Sequence, residues 1–445
     1  MTRNRIMRLS VVMLALALIA AACGDDEATT TAAPTTAAPT TAAPTTTEAP
    51  TTTEAPTTTE APTTTAAPEP LKIGYLLPMT GALAPIIDAL ALPLEMGVAE
   101  MADAGVEVTL VPKDDGTDPQ VATVAAEELI NEQVSAIIGP AATGVSLSVI
   151  DRITGVGIPM CSPSNTGAIF TTYEDGGFYF RTAPPDNLQG QVQGDLITED
   201  DATFVAIAYR SDEYGRGLAE AIKAQLEANG VAVAPLIEYD KDGTSFDAEA
   251  AQIAALGVDA ISLVSFAEGA AFVQALIEAG VGPDAVQLYI ADGFKDTISA
   301  TDIDPNDPGV LEGVRGTYPS LAPPSGEPTF PARFEAFAPG TPTIFSAHSY
   351  DCLMVEVLAS LAAGSADPGE IAAQMNDVTR PPGEKCSLFA DCLALLQAGQ
   401  EIDYDGASGL LDFVDVGEPA AGTYDILEYD ATGTAVTLRQ VDISS

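Results

Sequence analysis

Tryptophan is absent, histidine occurs once, and the basic residues number 17 against 64 acids. Each scarcity removes a class of function. With one histidine, His348, any Ser–His or Cys–His mechanism must run through a single position. That residue sits two positions before Tyr350-Asp351 at a predicted helix start, where placement at the surface is expected. No His or Cys cluster has metal-ligand spacing, so neither a metal nor a cofactor is expected. The net charge of −47 argues against nucleic acid or an anionic lipid surface as a partner. Beyond residue 22 no apolar run reaches the roughly 20 residues that a helical membrane span needs. Among so many acids a carboxylate dyad cannot be read by counting, and the stretch Tyr214-Gly215-Arg216-Gly217 lacks a phosphate-loop pattern and reads as a packing turn before a helix. An enzyme is not expected.

What is present begins with an address. Arg3, Arg5 and Arg8 form a basic segment, and Val11 to Ala22 an apolar one too short to span a bilayer, so residues 1–22 read as a cleavable signal peptide. Ala20-Ala21-Ala22 directly precede Cys23-Gly24, which resembles a bacterial lipobox with Ala20 where Leu is usual. The resemblance implies a lipidated Cys23 and an anchor to the outer face of the cell membrane; ordinary cleavage at the same Ala-rich site is the alternative. Residues 23–70 carry Thr-Thr-Ala-Ala-Pro and Thr-Thr-Thr-Glu-Ala-Pro units without large apolar side chains. Such a segment cannot offset the entropy of ordering and reads as a disordered, Pro-stiffened tether.

About 375 residues follow, and with 47% of the chain hydrophobic they can build substantial cores, two domains being the prior. Of the four remaining cysteines, Cys386 and Cys392 are close enough in sequence to form a local loop. Cys161 and Cys352 are then either a second pair or two buried free thiols.

From Leu71 the chain alternates strand and helix. Apolar runs predict strands over residues 73–77, 106–111, 135–138, 203–209, 259–264 and 286–290. Between them, helices are predicted over residues 94–104, from Pro119 with Val121, Ala125 and Leu129 on one face, and around Leu218, Ala221, Ile222 and Leu226 up to Gly230. A further helix carries Phe272, Val273, Leu276 and Ile277. Strands separated by helices imply parallel sheets covered on both faces: an α/β, doubly wound chain in two lobes. Ligands of such sheets bind beyond the carboxyl ends of the strands. The segments there offer small hydroxyls, two carboxylates and a few apolar side chains. That set suits a zwitterion, with neutral donors for its carboxylate and acids for its ammonium.

These segments, in order, resemble the branched-chain amino-acid-binding family of type I periplasmic binding proteins, the solute-binding lipoproteins of ABC importers. The resemblance runs over almost all of residues 71–445 through IGYLLPMTGALA, SAIIGPAAT, CSPSNTG, FRTAPPDNLQG, DEYGRGLAEAI, IADGF, SYDCLMVEVLA and DYDGASGLLDF. It implies two lobes joined by a three-strand hinge, one near 71–184 plus 318–409 and the other near 185–317 plus 410–445. It also implies that Thr143, Ser164 and Thr166 hold a ligand α-carboxylate, that Asp186 takes the α-ammonium, and that Asp292 closes on the same group from the opposite lobe. Phe266 and Ile86 fall where the family lines its pocket, more loosely, and either could be core. Capping of helices is the plainer role for the three hydroxyls and for Asp186, and Arg181 is expected to be structural. The function implied is capture of an amino acid, branched-chain or otherwise apolar, or a related amide, and delivery to a permease and its ATPase by a monomeric receptor. A sensor module or a wall-associated binding protein of the same fold is the alternative. Relatives also take urea and aromatic acids.

Overall fold

A computed structural model describes residues 71–320 and 323–444. The signal peptide, Cys23 and the tether lie outside the described residues.

The first sheet is wholly parallel, with strand order β2-β1-β3-β4-β5. Its members are β1 (Leu71–Leu77), β2 (Val108–Asp114), β3 (Ala136–Ile138), β4 (Met160–Ser162) and β5 (Tyr179–Arg181). Ile73, Leu76, Leu77, Ile137 and Ile138 are fully buried, as strands covered on both faces require. Reversal of strand order on either side of β1 makes the β1–β3 boundary a switch point, where the connecting loops part to leave a crevice.

The chain then enters a second sheet through β6 (Phe204–Arg210), β7 (Ala232–Val233), β8 (Ile237–Tyr239), β9 (Ala260–Val264), β10 (Gln287–Ile290) and β11 (Arg315–Pro319). It returns to build helices against the first sheet and a small sheet of β12 (Glu384–Cys386), β13 (Ile402–Gly406) and β14 (Gly409–Leu410). A last crossing leads to β15 (Ala421–Tyr429), which adds antiparallel to β11, and to β16 (Ala435–Ser444), which adds antiparallel to β15. The chain therefore passes between the two sheets three times, and the doubly wound α/β architecture is as expected. The closing antiparallel hairpin had no counterpart in the expected pattern.

Strand positions agree with the sequence to within one to three residues, β2 starting at Val108 rather than Val106. Helix faces needed more correction. The first long helix runs from Ile87 to Asp103 rather than from Leu94, because it continues through Pro93. On Pro119–Asn131, capped by the Asp118 carboxylate, the buried face is Ala122, Ala125, Ala126 and Leu129, while Val121 points out. Ile277 is likewise exposed. Helices Asp186–Glu199 and Glu213–Ala228 approach so closely that a Cβ on Gly190 would lie 2.4 Å from that of Ala221.

Helix Ser346–Ala363 is buried on every side from Ser346 to Ser360, which a helix facing solvent never is. Its Ser349 donates to the Leu90 carbonyl at 2.5 Å, Tyr350 donates to Glu100 at 2.6 Å, and Cys352 is joined to Cys161 of β4. A second disulfide joins Cys386 to Cys392. His348 lies on this helix and is 2% exposed, so placement at the surface is wrong; burial drives its pKa down to about 3 and keeps the imidazole neutral.

Candidate functional site

The loops after β1, β3 and β4 meet those after β9 and β10 around a small, mainly apolar cleft. Five of the seven expected ligand residues line it: Ile86, Thr143, Ser164, Phe266 and Asp292. Thr166 and Asp186 are not on its wall but lie buried behind it, 1% and 0% exposed.

The floor is built by locking two loops together. Gly139 has φ +100, where a Cβ would strike the Leu76 carbonyl oxygen at 2.1 Å, so only glycine turns the chain out of β3 here. The next residues are held by Asn165, whose Nδ2 donates to the Ala141 carbonyl at 2.7 Å, and by Ser164 Oγ, which donates to the same oxygen at 3.0 Å. Tyr179 Oη in turn donates to Asn165 Oδ1 at 2.9 Å. Thr143 opens helix Thr143–Thr154, and its Oγ1 accepts from Gly167 N at 3.3 Å. None of the three hydroxyls caps a helix: Ala142 is the N-cap and makes no side-chain bond, and Thr166 Oγ1 has no hydrogen-bond partner. The first N–H groups of that helix have no intrahelical acceptor and carry the positive end of its dipole, a ready site for a carboxylate.

Opposite stand the acids. Asp186 begins helix Asp186–Glu199, but Pro185 is its N-cap and the carboxylate makes no capping bond, which removes the plainer role. Its backbone N–H donates to the Thr166 carbonyl at 2.6 Å, and neither carboxylate oxygen has a partner of normal geometry. Burial first, then the negative charge of Asp292, pushes its pKa well above the usual carboxylate range; the Thr166 hydroxyl and Arg181 act the other way. Asp292 follows β10 and accepts at Oδ1 from Gln189 Nε2 at 2.9 Å and from Tyr214 Oη at 3.0 Å. Burial raises it to about 6 against those two hydrogen bonds. Two buried carboxyls with so few donors form a site short of one positive charge.

Tyr214, Gln189 and Lys295 belong to this region and were not foreseen. Tyr214 is 3% exposed, its ring stacks on Phe266 with centroids 5.1 Å apart, and it accepts from Gly293 N at 3.2 Å. The packing turn expected at 214–217 is thus also a cleft wall. Behind Phe266 the Arg210 guanidinium lies 3.6 Å from the ring centroid, held by Asp212 and Glu268 at 2.7 and 2.8 Å. Arg181 is structural, fully buried, and donates to Glu418 and to the Gly167 carbonyl at 2.8 Å. Among the described residues no group of three or more His, Cys, Asp or Glu could hold a metal ion, and no helix is long and apolar enough to cross a membrane.

The family model described as periplasmic binding protein matches residues 70–384. A Leu/Ile/Val-binding protein homologue of Brucella abortus is 28% identical over 317 residues, 69% of this chain and 82% of that protein. The chemotactic signal transduction system substrate-binding protein BasB of Halobacterium salinarum is 26% identical over 376 residues, 80% of this chain and 86% of its own length. Among solved structures, the branched-chain amino acid transporter substrate-binding protein LivJ of Streptococcus pneumoniae, in complex with isoleucine, superimposes with a TM-score of 0.68 at 18% identity. That match covers 85% of this chain and all of LivJ.

Proposed function

The chain belongs to the periplasmic binding protein family, and on that premise we propose that it captures a free amino acid, or a closely related amide, between its two lobes outside the cytoplasm and delivers it to a membrane permease. The observation that carries this reading is the pairing of unlike ends in one small cleft. One side offers hydroxyls and a helix N-terminus for a carboxylate. The other offers Asp292 on the wall and Asp186 buried behind it, both short of positive charge, for an ammonium. Thr143 and Ser164 line the carboxylate end of the cleft beside the helix N-terminus, with Thr166 supporting Asp186 from behind. Phe266 and Ile86 wall the side chain, and the chain catalyses no reaction.

An aromatic or other simple carboxylic acid fits this cleft poorly, since it would present an anion to two acids and bring nothing to neutralise them. Sugars fit poorly for the same reason. In this reading Cys23 carries the lipid that holds the receptor at the membrane, and residues 23–70 give it reach. Similarity to a chemotaxis substrate-binding protein over 80% of the chain supports a second reading, in which the same capture signals to a transducer; the ligand chemistry is common to both.

A thermal-shift screen of the protein against amino acids, amides, urea, aromatic acids and sugars tests the proposal. A ligand at about 100 times its Kd adds about 2.7 kcal/mol of stability. At least one free L-amino acid or amide is expected to do so, and stabilisation by sugars or aromatic acids alone would overturn the reading. Asp186→Ala should leave the unliganded protein at least as stable, because it removes a buried carboxyl without a partner. It should weaken binding by roughly 30-fold or more, as loss of one member of a buried charge pair does, which cuts the stabilisation to about 0.9 kcal/mol or less at the same ligand concentration.

A further inference from the structure

One cation lines the cleft among the described residues, and the zwitterion's two ends do not use it. The chain has six lysines in 445 residues, and lysine is almost never buried without a reason. Lys295 is 8% exposed, and it borders both the cleft and the groove that continues beyond it along Asp296, Ser299 and Asp302. Its ammonium lies 2.7 Å from Asp296 Oδ2 and 4.8 Å from the centre of the Tyr318 ring. Asp296 takes one of its three N–H bonds and cancels its charge, and the ring face shields one side.

The rest of the ligand's surroundings follow from where its ends are placed. With carboxylate and ammonium assigned to Thr143, Ser164, Asp186 and Asp292, the side chain faces what remains of the wall. That is the apolar Leu83, Ile86, Phe266, Ile344 and Phe345, together with the polar Lys295 and Thr297. Thr297 Oγ1 already donates to the Gly293 carbonyl at 2.7 Å and to that of Phe294 at 2.9 Å. Lys295 is therefore the donor with capacity left at this end. A purely hydrocarbon side chain, once it excludes water, would leave those N–H bonds against carbon, and a buried donor without an acceptor is costly.

Resting on the amino-acid reading above, we propose that Lys295 is a specificity-determining residue and that the ligand is an amino acid whose side chain ends in a carbonyl acceptor, a carboxamide before a hydrocarbon. The carboxamide is favoured over a carboxylate because Asp296 already neutralises Lys295, while Asp186 and Asp292 add further acid to the same small space.

Isothermal titration of the full chain with L-asparagine, L-glutamine, L-aspartate, L-glutamate, L-leucine and L-isoleucine tests this, asparagine and leucine being nearly the same shape. A hydrogen bond to a charged donor should favour asparagine or glutamine over leucine by about tenfold or more. Lys295→Met, which keeps the stem, should erase that preference by weakening the amide ligands and not leucine. Lys295→Arg should retain it, and circular dichroism should show both variants folded. If Lys295→Met does not fold, Lys295→Gln, which keeps a donor without charge, should show a reduced preference. Equal or tighter binding of leucine by the wild type overturns the inference and leaves the amino-acid reading standing, and so does an amide preference that survives in Lys295→Met. Tighter binding of aspartate and glutamate than of their amides overturns the choice of carboxamide. If no free amino acid binds, the reading beneath it fails and takes this inference with it.

Discussion

The acids of the cleft were legible at the level of single residues because position and type coincided. Asp292 and Asp186 each follow a strand, and acids beside loops of small hydroxyls suggest a charged ligand before any coordinate is known, while the role expected of each came from the family resemblance. Tyr214, Gln189 and Lys295 gave no such signal. Tyr214 and Gln189 sit in the first turns of helices, where a polar side chain at helical spacing is as ordinary as a core one; Lys295 lies past the end of the strand in a turn of six residues. His348 was misplaced for a related reason. Its helix is buried all round yet carries Ser, His, Asp and Glu, so its sequence reads as an element with one wet face. The same helix holds Glu356, 0% exposed, with no partner for either carboxylate oxygen and a pKa raised far above the usual value by burial alone. The folded state then keeps a proton that the unfolded chain releases above about pH 4.3. Stability from this group is complete below that pH and declines as pH rises toward the folded pKa, by up to about 1.4 kcal/mol per pH unit. Glu356→Gln cannot titrate. Its stability relative to wild type should climb between pH 5 and 7 in denaturant titrations and level off below pH 4; a difference independent of pH would show that Glu356 is ionised in the fold.

Elements were recovered in kind and order, with errors where local chemistry misleads. A proline ordinarily ends a helix, so Pro93 hid the first two turns of Ile87–Asp103, whose packing on Ser346–Ala363 outweighs the one lost hydrogen bond. The pairing of Cys161 with Cys352 was open in the sequence because the two are 191 residues apart and both fully buried, the state a free thiol would also have. In the fold the bridge fastens β4, which carries Ser162 at the root of the loop that holds Ser164, to the central helix. Loop-closure entropy assigns the two disulfides different weights: about 5 kcal/mol for a loop of this length and about 2 kcal/mol for the seven-residue loop of Cys386–Cys392. Replacing Cys161 and Cys352 together by Ala should therefore lower the urea midpoint more than the same change at Cys386 and Cys392. Equal losses, or the reverse order, would contradict a stapling role for the longer bridge.

For the molecule as a whole, the sequence pattern was enough to specify doubly wound parallel sheets, because a strand-helix alternation favours a right-handed, parallel continuation, while the three crossings were implied by the family resemblance. The antiparallel β15–β16 pair was not anticipated: β16 is an edge strand with mostly exposed residues, among them Val436 and Leu438, and lacks the apolar run of a buried strand. The account of function rests on both acids meeting one ammonium, Asp186 from the chain just past the first crossing and Asp292 from the far end of β10. A ligand moves an equilibrium between open and closed forms only by binding one of them better, and in the proposed function the extra contact in the closed form is the ammonium with Asp292. Small-angle scattering can read this directly, with the stabilising amino acid and its deaminated analogue each added at saturation or the highest soluble concentration. The amino acid should compact the protein, and the deaminated acid, which keeps the carboxylate and side chain but has nothing for Asp186 and Asp292, should leave it extended. Equal compaction by both, or compaction by the deaminated acid alone, would contradict the claim that this cleft closes on an amino acid's ammonium.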